Sequence, residues 1–521
     1  MEELLSLHLA KNNLSSVSTS LFSNLKSLKM FRLYENQLTA LPDGIFDNLP
    51  DLEEIALQCN QISYIQPNLF PHKSKLTKLY LDNNLLTELQ PDLFVGFSLL
   101  KSLTLNKNQL TSLPSVLFGE TLKITELSLS HNNLTHLPTG VFSPLKKLKK
   151  LDLSSNQFSI ISANFFEGLE KLTDLNLQNN SIESLKQEDF KKLKSLSTLK
   201  LGNNKLQSLP GDDLNNLLKL VLKSNKIHSL ENGLFDYLKK LQVLHLHMNK
   251  ISTIEEGTFD NLEELLSLHL AKNNLSSVST SLFSNLKSLK MFRLYENQLT
   301  ALPDGIFDNL PDLEEIALQC NQISYIQPNL FPHKSKLTKL YLDNNLLTEL
   351  QPDLFVGFSL LKSLTLNKNQ LTSLPSVLFG ETLKITELSL SHNNLTHLPT
   401  GVFSPLKKLK KLDLSSNQFS IISANFFEGL EKLTDLNLQN NSIESLKQED
   451  FKKLKSLSTL KLGNNKLQSL PGDVFDSLPK LIGVKHDDPK SILCASVKAR
   501  TSDLSNKVVY TVNVKNMPNY F

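Results

Sequence analysis

LKMFRLYENQLTALPDGIFDNLPD, residues 28–51, is one period of a pattern that runs through most of the chain. Its skeleton is L-x-x-L-x-L-x-x-N-x-L, filled here by Leu28, Phe31, Leu33, Asn36 and Leu38. The same skeleton first appears as Leu4, Leu7, Leu9, Asn12 and Leu14, which fixes a period of 24 residues. Further starts fall at 52, 76, 100, 124, 148, 172 and 196, slip once to 217, and continue from 241 to a last start at 457. Twenty complete repeats result. Phase kept over that length identifies a solenoid, in which no unit can bury its apolar face alone and each must stack on the next.

The spacing assigns a task to each position. Apolar and polar residues alternate in L-x-x-L-x-L as in a short strand, which puts Leu7 and Leu9 inside and His8 outside. Such strands stack in parallel. Asn12, Asn36 and Asn60 stand where a hydrophobe would otherwise recur, as expected if each buried amide satisfies backbone groups of adjoining turns. Phe22, Phe46, Phe70, Phe94, Phe118, Phe142, Phe166 and Phe190 share one phase and fill the opposite, wider side with aromatic bulk. The expected fold is an α/β-type repeat solenoid with a parallel sheet on the concave face and short turns or 3-10 segments on the convex face. At roughly 4.8 Å per parallel strand, twenty strands span an inner arc of about 95 Å, a scale that suits macromolecular partners.

Bulk properties narrow the function. Lysine plus arginine (55) nearly balance aspartate plus glutamate (52), a field too weak to argue for nucleic acid or an anionic membrane. Every apolar run is interrupted well before the roughly eighteen residues that a membrane span needs. The opening MEELLSLHLAKNN has no basic, apolar and small-residue succession of a signal peptide. No phosphate loop or nucleophile elbow occurs, no cofactor motif is present, and no enzymatic activity is expected.

Residues 2–212 reappear unchanged as 263–473, an offset of 261, three short of eleven periods. The deficit lies at the join near 211–225, where Leu217 closes one repeat and opens the next, leaving a repeat of 21 residues. The shortening follows the asparagine, so the strand is expected to stack still, with a local change of curvature in place of a domain break. The array is expected over 2–484, with an atypical tail over 485–521.

The unit LxxLxLxxNxLxxLPxxxFxxLxx, seen in residues 28–51 and in ITELSLSHNNLTHLPTGVFSPLKK (124–147), resembles the "typical" subclass of vertebrate extracellular leucine-rich repeats. That family includes the carboxypeptidase N regulatory subunit, leucine-rich alpha-2-glycoprotein, variable lymphocyte receptors and Toll-like receptor ectodomains. The chain looks similar to the first of these in its run of LP-x-x-x-F repeats and in the tail segments ILCASVKAR and VVYTVNV. The resemblance implies a leucine-rich-repeat horseshoe, a secreted or ectodomain location, and binding or carrying of a protein partner, such as a plasma enzyme subunit. An immune receptor for pathogen molecules is the alternative. Departures are plain: there is no Trp, there are three Cys, and LIGVKHDDPKSILC stands where the C-terminal cysteine cap would be. The resemblance therefore implies that cap and leader segments are missing from this chain.

Candidate binding residues are those facing outward from the strands. In mid-array they are His245, His247, Met248, His269, Met291, Arg293, Tyr295 and Tyr341, with Arg32, Tyr34 and Tyr80 as a sparser set near the start. Arginine and tyrosine combine large contact area with hydrogen bonding, and a rigid sheet presents them preorganised. His245 and His269 share a column but lack supporting carboxylate or thiolate, so no metal site is expected. Glu126 and Asp152 also face outward, without a nucleophile. The lysines 146, 147, 149, 150, 191, 192 and 194 read as solvated surface. The sequons at Asn13, Asn133 and Asn179, with copies at Asn274, Asn394 and Asn440, are candidate N-glycosylation sites. Cys59, Cys320 and Cys494 have no metal spacing and are expected as free thiols, Cys494 being a candidate for an intermolecular bond.

Overall fold

The computed structural model describes residues 3–119, 123–186, 188–209, 214–380, 384–485 and 509–510. The chain forms two units, 1–265 and 266–521, which part close to where the second sequence copy begins. Cys494 and most of the tail lie outside the described residues.

Each unit is a parallel β-sheet solenoid in which one three-residue strand marks each repeat. In the first unit the strands run from Ser6–His8 through Met30–Arg32, Glu54–Ala56 and Lys78–Tyr80 to Val243–His245. In the second they run from Ser267–His269 through Met291–Arg293, Glu315–Ala317 and Lys339–Tyr341 to Thr459–Lys461. Register is constant: Leu7 pairs with Phe31, Phe31 with Ile55 and Ile55 with Leu79, so the inward positions form one column. Stacking also continues past the last complete repeat, because Gly483–Lys485 pairs in register with Thr459–Lys461. The connections carry short 3-10 turns such as Thr19–Phe22, Ala163–Phe166 and Ala424–Phe427.

The asparagine column satisfies backbone groups of two turns at once. Asn36 Nδ2 donates to the carbonyls of Leu33 in its own turn and Leu9 in the preceding one, both at 3.0 Å. Its Oδ1 accepts the N–H of Leu14, also at 3.0 Å. Asn321 repeats the set with Leu318, Leu294 and Leu299. At the 21-residue repeat the chain keeps these bonds: Asn225 donates to Leu222 and Leu201 and accepts from Leu206. Leu220 accordingly pairs with Leu199 and Leu244.

Behind the sheet, the eight phenylalanines expected in one phase are all buried. Phe46 stacks on Phe70 at 5.8 Å and Phe166 on Phe190 at 6.3 Å. The column is interrupted at the join, where the shortened repeat has Leu214 at the phenylalanine position, and resumes with Phe235 stacked on Phe259. A small apolar gap lined by Phe190, Leu199, Leu214 and Phe235 marks the missing ring. Two extra strands, Ser229–Leu230 and Thr253–Ile254, pair in parallel just beyond it.

One conformational feature is not evident from the residue types. The position before each ladder asparagine is left-handed, with φ of 53° at Glu35, 58° at Cys59, 60° at Met248 and 54° at Lys368. The turn after the strand needs this conformation in every repeat, and residues with a Cβ adopt it at an intrinsic cost of about 1–2 kcal/mol.

Two stability outcomes follow from these columns. Asn321→Ala strips partners from three buried backbone groups and should destabilise the second unit by about 3 kcal/mol, with faster amide exchange at Leu299. In chemical denaturation, Lys368→Gly should stabilise by up to about 1 kcal/mol and Lys368→Ile should destabilise; equal midpoints would contradict the cost assigned to the left-handed turn.

Candidate functional site

The outward residues of the strands form three columns on the open face of each sheet. In the second unit Arg293, Ala317 and Tyr341 follow one another in one column, with the small Ala317 buried between the two large side chains. Arg293 is fixed from below. Its Nε donates to Glu315 Oε1 at 2.6 Å, while Lys339 Nζ approaches Glu315 Oε2 at 3.3 Å. The Glu315 residue is only 7% exposed, so one buried carboxylate anchors two cations from the neighbouring turns. The first unit repeats the arrangement with Arg32, Glu54 and Lys78 at 2.7 and 3.2 Å.

Tyr295 is held as well. Its hydroxyl lies 3.3 Å from His269 Nε2, and the two rings meet edge to face at 5.4 Å. His269 is 6% exposed, so it supports Tyr295 and offers little contact area of its own. Tyr34 and His8 form the corresponding pair in the first unit, at 3.1 Å. Met291 is half-buried, with its sulfur 3.8 Å from Arg293 Nη2. In the first unit His245 and His247 set their rings edge to face at 5.6 Å. Met248 is 48% exposed and lies in the left-handed turn beyond the strand, off the sheet face.

Tyr341 also begins a polar hollow of about 620 Å³ that extends over Ser363, Thr365, Glu387, Asp413, Asp435 and Asn437 to Lys461. The first unit has its twin, from Tyr80 to Thr198 and Lys200. Within it Glu126 pairs with Lys150 at 2.8 Å, and Asp152 accepts the N–H of Ser154. These acids hold the sheet's own groups, and Asp174 accepts the hydroxyl of Thr173 at 2.7 Å. Among the described residues, no group of three or more His, Cys, Asp or Glu could hold a metal ion.

The signal for Glu54 and Glu315 was available as an acid at a strand position, but its burial depends on cations 22 residues before it and 24 residues after it. All six sequon asparagines are exposed. Asn179 and Asn440 nevertheless have their amides engaged, donating to Ser155 and Ser416 and accepting from Asn203 and Asn464. Cys59 and Cys320 are free and half-buried, each accepting a hydrogen bond from the asparagine one turn on.

Burial raises the pKa of Glu315, but its hydrogen bonds and charge interactions with Arg293 and Lys339 outweigh this and hold it below the ordinary glutamate value. Glu54 is shifted in the same direction by Arg32 and Lys78. Depressed carboxylates stabilise the fold above the unfolded pKa, and the contribution disappears as pH falls through the folded value. The unfolding midpoint should therefore drop more steeply below about pH 4 in the wild type than in a Glu54→Gln/Glu315→Gln variant. Parallel pH curves would show that the two anchors do not carry the linkage.

The pattern of strands, asparagines and phenylalanines also identifies the chain by comparison. The "Leucine rich repeat" model matches residues 2–62, 32–86, 74–121, 123–182, 170–219, 215–275, 384–443 and 431–482. The "BspA type Leucine rich repeat region (6 copies)" model matches residues 252–386. No curated protein matches the sequence. Among solved structures, YopM from Yersinia enterocolitica is similar at 23% identity and a TM-score of 0.65, covering 93% of this chain and 92% of that one. A leucine-rich-repeat protein of Leptospira interrogans is 28% identical with a TM-score of 0.57, over 81% of this chain and 94% of its own. Toll, in its Drosophila complex with Spatzle, is 22% identical with a TM-score of 0.60, over 91% and 73%. With family models covering most of its length and a fold shared with these structures, the chain belongs to the leucine-rich repeat family.

Proposed function

We propose that this protein is a non-enzymatic scaffold that binds a partner protein through the open faces of its sheets. The observation that carries the reading is the fixed Arg–Tyr–Tyr cluster of Arg293, Tyr295 and Tyr341, repeated as Arg32, Tyr34 and Tyr80. A buried carboxylate orders the arginine and a histidine orders one tyrosine. These are residue types that dominate protein interfaces, and little side-chain entropy remains to be lost on binding because their partners already restrain them. The open, shallow hollow beside them suits an extended polypeptide better than an enclosed small molecule. No enzymatic chemistry is assigned: the strand-face acids Glu126, Asp152 and Asp174 are engaged by Lys150, a backbone N–H and the hydroxyl of Thr173.

The location we assign is extracellular, as a secreted protein or ectodomain that carries a partner, in keeping with the LP-x-x-x-F repeats. Among the described residues no helix is long and apolar enough to cross a membrane. In that setting Asn133 and Asn394 would be better glycan acceptors than Asn179 and Asn440, whose amides are already engaged on both sides.

Because the clusters are duplicated, a single substitution leaves one intact. The test is capture from extracellular fluid by immobilised protein, followed by direct titration of the retained partner. A variant with Arg32, Tyr34, Arg293 and Tyr295 all changed to alanine should bind at least about tenfold more weakly, a loss of about 1.4 kcal/mol or more. Undiminished binding by a folded quadruple variant would place the interface elsewhere.

A further inference from the structure

The open face of the first unit changes charge along its length, and the change is created by the join. Strands Glu126–Ser128, Lys150–Asp152 and Asp174–Asn176 present Glu126, Asp152 and Asp174. The last three strands of this unit, Thr198–Lys200, Lys219–Val221 and Val243–His245, carry no acid at an outward position; they present Lys200, Lys219 and Lys223, with His245 and His247 beside them. None of these three lysines is ion-paired among the described residues.

The register explains why they cluster. Lys219 pairs with Thr198 and Val243, and Val221 lies between Lys200 and His245. Gly202 supplies a notch for Lys223: a Cβ on Gly202 would come within 2.9 Å of Lys223 Cγ. The lysine stem therefore lies across the preceding turn. The floor between the cations is aliphatic. Val221 occupies an outward position yet is 5% exposed, and Val243 is half-buried. Lysine stems cover such apolar surface while their charged ends remain in water.

We infer that this basic patch binds a short acidic segment of a partner polypeptide, one that carries aliphatic side chains among its carboxylates. Charge complementarity selects the ligand class twice. The lysines attract carboxylates, while Asp152 and Asp174 on the preceding strands repel a long uniform polyanion such as a nucleic acid or a sulfated glycan. Three strands at about 4.8 Å match some four residues of extended peptide. The half-buried Val243 adds aliphatic surface that suits the apolar side chains of a polypeptide, which nucleic acids and glycans lack. The inference rests on the open face being a protein-binding surface, but it uses a different set of residues from the Arg–Tyr–Tyr clusters.

The experiment is fluorescence anisotropy with a labelled hexapeptide of alternating glutamate and valine, using the full chain. Binding should weaken about tenfold or more in Lys219→Ala/Lys223→Ala, and fall several-fold as salt rises from about 0.05 to 0.3 M. Lys362→Ala/Lys408→Ala in the second unit, which removes the same charge elsewhere, should leave it unchanged. Gly202→Met, which fills the notch without altering charge, should weaken binding if Lys223 must lie where it does. Equal binding by the Lys219/Lys223 variant with unchanged circular dichroism, or tighter binding of a heparin dodecasaccharide or a 12-nucleotide RNA than of the peptide, overturns the proposal. Partner capture through Arg293 and Tyr295 can survive either result, so the two readings fail separately.

Discussion

A single buried amide per repeat controls how one turn meets the next. Asn12 at the first turn is exposed and donates only within its own turn, but a buried ladder asparagine such as Asn321 donates to carbonyls of two turns and accepts one N–H, so removing it leaves three backbone groups without partners in a dry interior. Apolar contacts between turns supply most of the burial but are non-directional. The amide fixes the offset between turns, and with it the columns of side chains on the open face. At the join the chain drops three residues and keeps these bonds, placing the deletion after the asparagine, where the turn can shorten without moving the strand.

This regularity accounts for the cost accepted just before each asparagine. A left-handed residue reverses the chain after the strand, and glycine would satisfy that geometry most readily. The sequence instead places Lys, Glu, Cys, His, Ser, Asn or Met there. Several of those side chains interact from turn to turn: Lys272 with Glu296 at 3.5 Å, Asn203 with Asn179 at 2.8 Å, Asn83 with Cys59 at 3.3 Å. These contacts form a second, more exposed row beside the buried ladder and offset part of the conformational cost.

On the open face the same stacking turns isolated residues into sites. Glu315 becomes the anchor for Arg293 and Lys339 because constant register brings positions 22 and 24 residues away against it. The hollows over Asp152 and Asp174, and over their copies Asp413 and Asp435, arise in the same way. Duplication gives the chain two sets of clusters and hollows, while the unique segment between the copies contributes the sheet strands Lys219–Val221 and Val243–His245.

The sequence by itself determined the period, the inward leucines, the asparagine ladder and the phenylalanine column, because each depends on residue type at a fixed spacing along the chain. It also marked Arg293, Tyr295 and Tyr341 as outward residues. Only the tertiary structure decided that Arg293 is tied to a buried glutamate, that His269 lies beneath Tyr295, that Met248 leaves the sheet face, and that Lys223 lies across Gly202. Those outcomes depend on lateral neighbours roughly one period away and on the rotamers that let side chains meet. Periodicity names the columns; stacking in register sets which members touch, and burial then settles which charges are held.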